Sequence, residues 1–155
     1  MKKVIFACAM LVATVVANAQ TEKNTTLLGG SLSFNNTENI SSFMANPNIG
    51  VFVANNFAVG GELSLYTSEG YTSWGVGPFA RYYFGQQTKG KPYLGASLLV
   101  GGADETDTEV GFGAHGGYAF FLNKSVALQL GVQYNRISEM DQFGISAGFQ
   151  IHFKK

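Results

Sequence analysis

Of the 155 residues 46% are apolar and only 13% charged, against roughly 25% charged in soluble domains. Ten Lys plus Arg balance ten Asp plus Glu, which excludes a basic nucleic-acid binder and an acidic disordered tail. Twenty glycines and 14% aromatics against three prolines favour one glycine-rich β domain over helices, where each glycine costs about 1 kcal/mol.

The chain opens with Lys2 and Lys3, an apolar run from Val4 to Ala17, and the small-residue pattern Ala17, Asn18, Ala19. That order predicts a secretory signal peptide over residues 1–19, cleaved after Ala19 and leaving a domain of residues 20–155. The run is too short for the ~20 residues of a spanning helix. Cys8, the sole cysteine, lies in it, so the exported chain has no disulfide and no thiolate metal site. Losing Lys2 and Lys3 leaves 8 basic against 10 acidic residues, a charge of −2.

From residue 20 onward apolar residues recur at every second position, the period of a half-buried strand. Leu28, Leu32 and Phe34 open the series, and Ile49, Val51 and Val53 follow. Val59, Leu63 and Leu65 alternate with Gly60, Glu62, Ser64 and Tyr66. Trp74, Val76, Ala80 and Tyr82 alternate with Ser73, Gly75, Gly77, Phe79, Arg81 and Tyr83. Leu94, Ala96, Leu98 and Val100 come next, then Val110, Phe112, Ala114, Tyr118 and Phe120, which alternate with Gly111, Gly113, His115, Gly117 and Ala119. Val126, Leu128, Leu130, Val132 and Tyr134 alternate with Ala127, Gln129, Gly131 and Gln133. The last run places Phe143, Ile145, Ala147, Phe149, Ile151 and Phe153 on one face. Eight strands result.

The second face is Gly, Ser, Gln, Ala and Tyr, and its charges within strand interiors are Glu62 and Arg81. Such a face suits the interior of a narrow barrel better than water, so the apolar face is expected to meet lipid. An open sheet edge in hydrocarbon would leave backbone groups unpaired at several kcal/mol each, so the sheet must close. The predicted fold is all-β, an eight-stranded antiparallel up-and-down transmembrane β-barrel. Odd connections, expected to be the longer outside loops at 35–46, 67–72, 102–109 and 135–141, hold eight acidic residues against Arg136. Even connections near 55–57, 85–91 and 122–125, with the tails, hold Lys23, Lys89, Lys91, Lys124, Lys154 and Lys155 against Glu22. The split supports alternating sidedness.

The segments PNIGVFVANNFAVGGELSLY, VGPFARYYFG, KPYLGASLLVGG and GISAGFQIHF resemble the small eight-stranded outer-membrane β-barrels of OmpA/OmpX-like type, whose short members are often labelled "porin family". The resemblance covers essentially all of residues 20–155. Ser146, Gly148, Ile151 and Phe153 match the family's polar-x-Gly-x-x-apolar-x-aromatic β-signal, read by the barrel-insertion machinery. Lys154 and Lys155 depart from it, since many members end on the aromatic. The resemblance implies the outer membrane of a Gram-negative type envelope, with its lipid and lipopolysaccharide as partners.

Candidate chemistry is sparse. Glu62, Arg81, His115 and Gln129 are the lumen candidates; no catalytic set, metal site or cofactor is expected. His115 and His152 lie on different strands without a carboxylate at ligand spacing. Asp104, Glu105, Asp107 and Glu109 lack the turn glycine and spacing of an EF-hand loop and read as a solvated acidic loop. Ser64 and Ser97 face the lumen, away from lipid. A hairpin closed by Tyr66 and Tyr71 would set Glu62 opposite Gly75 and Arg81 opposite Asn56, about 20 Å apart along the strand at ~3.3 Å per residue. Their contact then needs another register, a bulge or the barrel's tilt. The same arithmetic puts Gly95 in one row between Arg81 and His115.

The first functional reading is a non-enzymatic barrel of structural or surface-interaction type with a packed polar lumen. A small-solute channel is the alternative, opposed by the strand number, since eight strands leave room for side chains and little water. A lipid-modifying enzyme and a soluble ligand-binding barrel complete the set.

Overall fold

A computed structural model describes residues 21–37, 40–86, 89–103, 108–137 and 140–154. The expected leader, residues 1–19, lies outside them, as do Glu38, Asp104, Glu105, Asp107 and Glu139. Eight strands follow in chain order: β1 (Thr25–Thr37), β2 (Ile40–Ala54), β3 (Phe57–Ser68), β4 (Tyr71–Tyr83), β5 (Gly90–Ala103), β6 (Glu109–Phe121), β7 (Val126–Ile137) and β8 (Met140–Lys154). Each pairs antiparallel with the next, and β1 closes on β8 from Thr25↔Lys154 to Phe34↔Ile145. Closure leaves no free edge among the described strands, as the cost of unpaired backbone groups in hydrocarbon predicts.

The connections differ from expectation. β1 and β2 stay paired to Thr37↔Ile40, β3 and β4 to Ser68↔Tyr71, and β7 and β8 to Ile137↔Met140. Most of the expected long loops at that rim are therefore strand. At the β3–β4 turn Gly70 takes φ +73°, a left-handed conformation open to glycine at no steric cost. It allows a two-residue turn, so Thr67 and Ser68 join the ladder and the register moves by two: Glu62 faces Gly77 and Arg81 faces Ala58. The opposite rim carries the start of β1, the end of β8 and the turns after β2, β4 and β6.

Polarity is arranged inside out. Among the described residues twenty-five large apolar side chains are exposed, from Leu28 and Leu32 on β1 to Ile145 and Phe149 on β8. Facing water, this surface would forgo roughly 1.5–3 kcal/mol at each fully exposed Leu, Ile or Phe, far more than a domain's 5–15 kcal/mol of net stability could absorb. Facing hydrocarbon it loses nothing. Tyr82, Phe84, Tyr118 and Phe120 cluster at the rim with the chain ends, and Trp74, Phe112 and Tyr134 toward the other, which are the two aromatic girdles of a membrane barrel.

Candidate functional site: the barrel lumen

Inward-pointing side chains fill the lumen in two layers. Nearest the rim with the chain ends is an aromatic and aliphatic layer of Leu27, Phe52, Ala58, Tyr83, Tyr93, Ala119 and Ala127, with Phe121 against it; Phe79 belongs to the same cluster but stands two residues farther along β4 from that rim than Arg81. His152 is fully buried there among Phe52, Tyr83 and Phe121, with ring centroids 5.5, 6.2 and 5.6 Å away. The layer's rings pack against one another, Phe52 with Tyr83 at 5.7 Å between ring centres and Tyr83 with Tyr93 at 5.9 Å. Beyond it the lumen turns polar.

Arg81 anchors the polar layer. It is 4% exposed, its Nε donates to His115 Nε2 at 3.0 Å and its Nη1 to Gln129 Oε1 at 3.3 Å. The guanidinium carbon lies 5.4 Å from the Phe79 ring centre and 5.3 Å from that of Tyr93, within reach of a cation–π attraction from each. Accepting from Arg81 requires His115 Nε2 to be unprotonated, so the imidazole is neutral with its proton on Nδ1. Gln129 extends the network: its Nε2 donates to the Tyr83 hydroxyl at 3.0 Å, and its Oε1 also accepts from Gln150 Nε2 at 3.4 Å. Gln150 donates in turn to Asn48 Oδ1 at 3.2 Å.

A second set lies nearer the opposite rim. Gln133 and Asn135 both donate to Met44 Sδ, at 2.9 and 3.2 Å, while Ser31 donates to Gln133 and Asn135 to Ser64. Met44 is the surprise, because an apolar side chain at an inward position reads as a pattern break. Its thioether serves as a weak acceptor where two amides converge.

Sequence reasoning brought Arg81, His115 and Gln129 to one face, and the structure joins them directly. Glu62 is 6% exposed and lines one cavity with them. It stands four residues along β3 from Ala58, the register partner of Arg81, about 13 Å at 3.3 Å per residue. The ion pairs among the described residues are Arg136 with Asp141 at 3.6 Å and Lys154 with Glu22 at 3.2 Å, both exposed; Glu62 and Arg81 are not one. The new register shortens their separation without closing it. Of the terminal motif, Ser146 points inward and is buried, Gly148 shares its face, and Ile151 and Phe153 are half-buried on the outer face.

The sequence places Lys91 at the end of the connection near 85–91. It instead lies in β5, points inward and is buried, because β5 begins at Gly90. Its Nζ donates to Thr21 Oγ1 at 2.5 Å and to Asn56 Oδ1 at 2.8 Å. Thr21, ahead of β1, thereby reaches a strand four places round the barrel, and Asn56 N donates to its carbonyl at 2.7 Å. Residues 21–24 thus lie across this mouth, a feature without a periodic signal. No group of three or more His, Cys, Asp or Glu converges among the described residues.

No family model matches the chain. A Haemophilus influenzae protein described as uncharacterized is 32% identical over 77 residues, 41% of this chain and 43% of that one; the match thus spans less than half the length of this relative. Among solved structures, Neisserial surface protein A gives a TM-score of 0.65 at 20% identity, covering 83% of this chain and 96% of that one. The N-terminal β-barrel domain of Pseudomonas aeruginosa OprF gives 0.66 at 12% identity, over 84% and 98%. The Yersinia pestis outer membrane protein Ail gives 0.53 at 11%, over 85% and 100%. With its closed barrel, apolar belt and filled polar interior, the chain has the fold of the small eight-stranded outer-membrane β-barrels.

Proposed function

We propose that this chain is an integral outer-membrane protein of structural or surface-contact type, without enzymatic activity, whose lumen is solid packing and not a path. The inside-out distribution of polarity carries this reading: an apolar outer belt with two aromatic girdles around a polar, hydrogen-bonded interior. Residues 1–19 serve as the export signal, the rim with the chain ends faces the periplasm, and the acidic connections face outward. Phospholipid and lipopolysaccharide are the surrounding partners, and the barrel-insertion machinery reads Ser146, Gly148, Ile151 and Phe153 during assembly. Ser64 and Ser97 are buried in the lumen, out of reach of a lipid substrate, which weighs against a lipid-modifying enzyme.

Cell fractionation combined with a heat-modifiability gel tests this. The protein should partition with the outer membrane and migrate differently before and after boiling. Recovery in the soluble fraction would overturn the membrane reading.

A further inference from the structure

Two hydrogen-bonded sets in the lumen stop short of one another. One runs from His115 through Arg81, Gln129 and Gln150 to Asn48, which donates to the Asn46 carbonyl. The other joins Ser31, Gln133, Met44, Asn135 and Ser64. Between them lies a cavity of about 10 Å³, lined by members of both sets and by Glu62, Asn46 and Ser146.

The cavity is specified chemically. Its volume is about the smallest that admits one water molecule. Asn46, 6% exposed, has its Oδ1 buried with no hydrogen bond from the protein. Glu62 makes none of the ion pairs among the described residues, although Arg81 lines the same space. Arg81 donates through Nε and Nη1, which leaves three of its five N–H bonds. The Glu62 carboxylate, with the Ser97 hydroxyl as a neighbouring donor, keeps further acceptor sites, so an occupant that donates to it and to Asn46 Oδ1 and accepts from the guanidinium suits all three groups. An alkali cation or ammonium suits the acceptors but faces the Arg81 charge; an anion faces Glu62. Water meets all three demands.

We propose that one structural water sits here, donating to the Glu62 carboxylate and to Asn46 Oδ1 and accepting from Arg81. Glu62 and Arg81 then form a water-bridged ion pair, and the two sets become one network across the polar layer. A bridging water holds nearly as well as a direct hydrogen bond, which explains how two buried opposite charges are accommodated without touching.

The test uses the refolded barrel in detergent micelles. Water-to-protein NOE spectra should show a cross-peak of slow-tumbling sign, marking a residence time beyond about a nanosecond, at the side-chain amides of Gln133 and Asn46. Glu62→Gln, which keeps an acceptor, should retain the Gln133 peak. Asn46→Leu, which fills the cavity with methyl groups, should abolish it while preserving heat modifiability. If Asn46→Leu fails to fold, the wild-type spectrum decides, together with a crystal structure fine enough to place waters. A water within hydrogen-bond distance of Glu62, Asn46 and Arg81 supports the site. Direct Glu62 to Arg81 contact, a cation in the cavity, or no slow water signal overturns it.

Discussion

Arg81 Nε reaches His115 Nε2 at 3.0 Å because the residue between them in the sheet, Gly95, has no side chain. Gly95 pairs with Arg81 on one side and with His115 on the other. A Cβ there would overlap His115 Nε2 and press on the Ala80 carbonyl at 3.0 Å. Glycine in this row is a requirement of the interior hydrogen bond. Gly95→Ala should destabilise the barrel by about 1–3 kcal/mol, the usual cost of overpacking. A urea titration of micelle-refolded protein measures it; an unchanged midpoint would show that the ring moves aside freely.

Arg81→Ala removes two charge-assisted hydrogen bonds and two ring contacts, and strips Glu62 of its nearest opposite charge. We expect a loss of about 3 kcal/mol or more. Lys89→Ala, on the exposed β4–β5 connection, should stay within about 0.5 kcal/mol. Matched folding titrations compare the two, and equal effects would contradict the placement of Arg81 in the packed lumen.

The lipid-facing belt predicts a depth dependence that exposure alone does not. Leu130 lies near mid-strand on β7 and is 55% exposed; Val110, at the start of β6, is 73% exposed. Leu130→Arg should cost about 2–4 kcal/mol and Val110→Arg about 0–1 kcal/mol in lipid vesicles. A water-facing surface would tolerate both. Gln129→Arg, inward on the same strand, would set a second guanidinium beside Arg81 and should also destabilise the barrel.

Deleting Phe153 to Lys155 removes the aromatic of the terminal motif. It also removes two rungs of the β1–β8 ladder, Thr26↔Phe153 and Thr25↔Lys154. The two effects separate by setting. Folded, heat-modifiable protein should fall several-fold in cells, while the same variant refolds in detergent with a modest loss of stability. Normal folding in cells would remove the insertion-signal reading; failure in both settings would make the motif purely structural.

Strand number, closure and the orientation of both faces were legible in the sequence because a period of two assigns every residue to one side. The run from Phe143 to Phe153 already displays the lipid face, and the Arg81, Gly95, His115 row follows from antiparallel pairing alone. Turn lengths were less legible. Serine, threonine and asparagine near Asn35, Ser41, Thr67 and Ser68 read as loop by composition, yet pairing with a partner strand draws them into the ladder. The Thr21, Asn56 and Lys91 contacts depend on a crossing of the mouth that no local pattern encodes. Met44 Sδ as an acceptor became visible only once Gln133 and Asn135 were placed around it.

Conductance across a planar bilayer tests the closed lumen most directly. Leu27, Phe52, Tyr83, Tyr93 and His152 are buried in the bore near one rim, and the Arg81 network lies in the layer beyond it. Reconstituted barrel, with insertion verified by heat modifiability, should give no steady current above that of lipid alone. Stable, ion-selective single-channel steps, repeated across preparations, would contradict a packed lumen and establish a path through it.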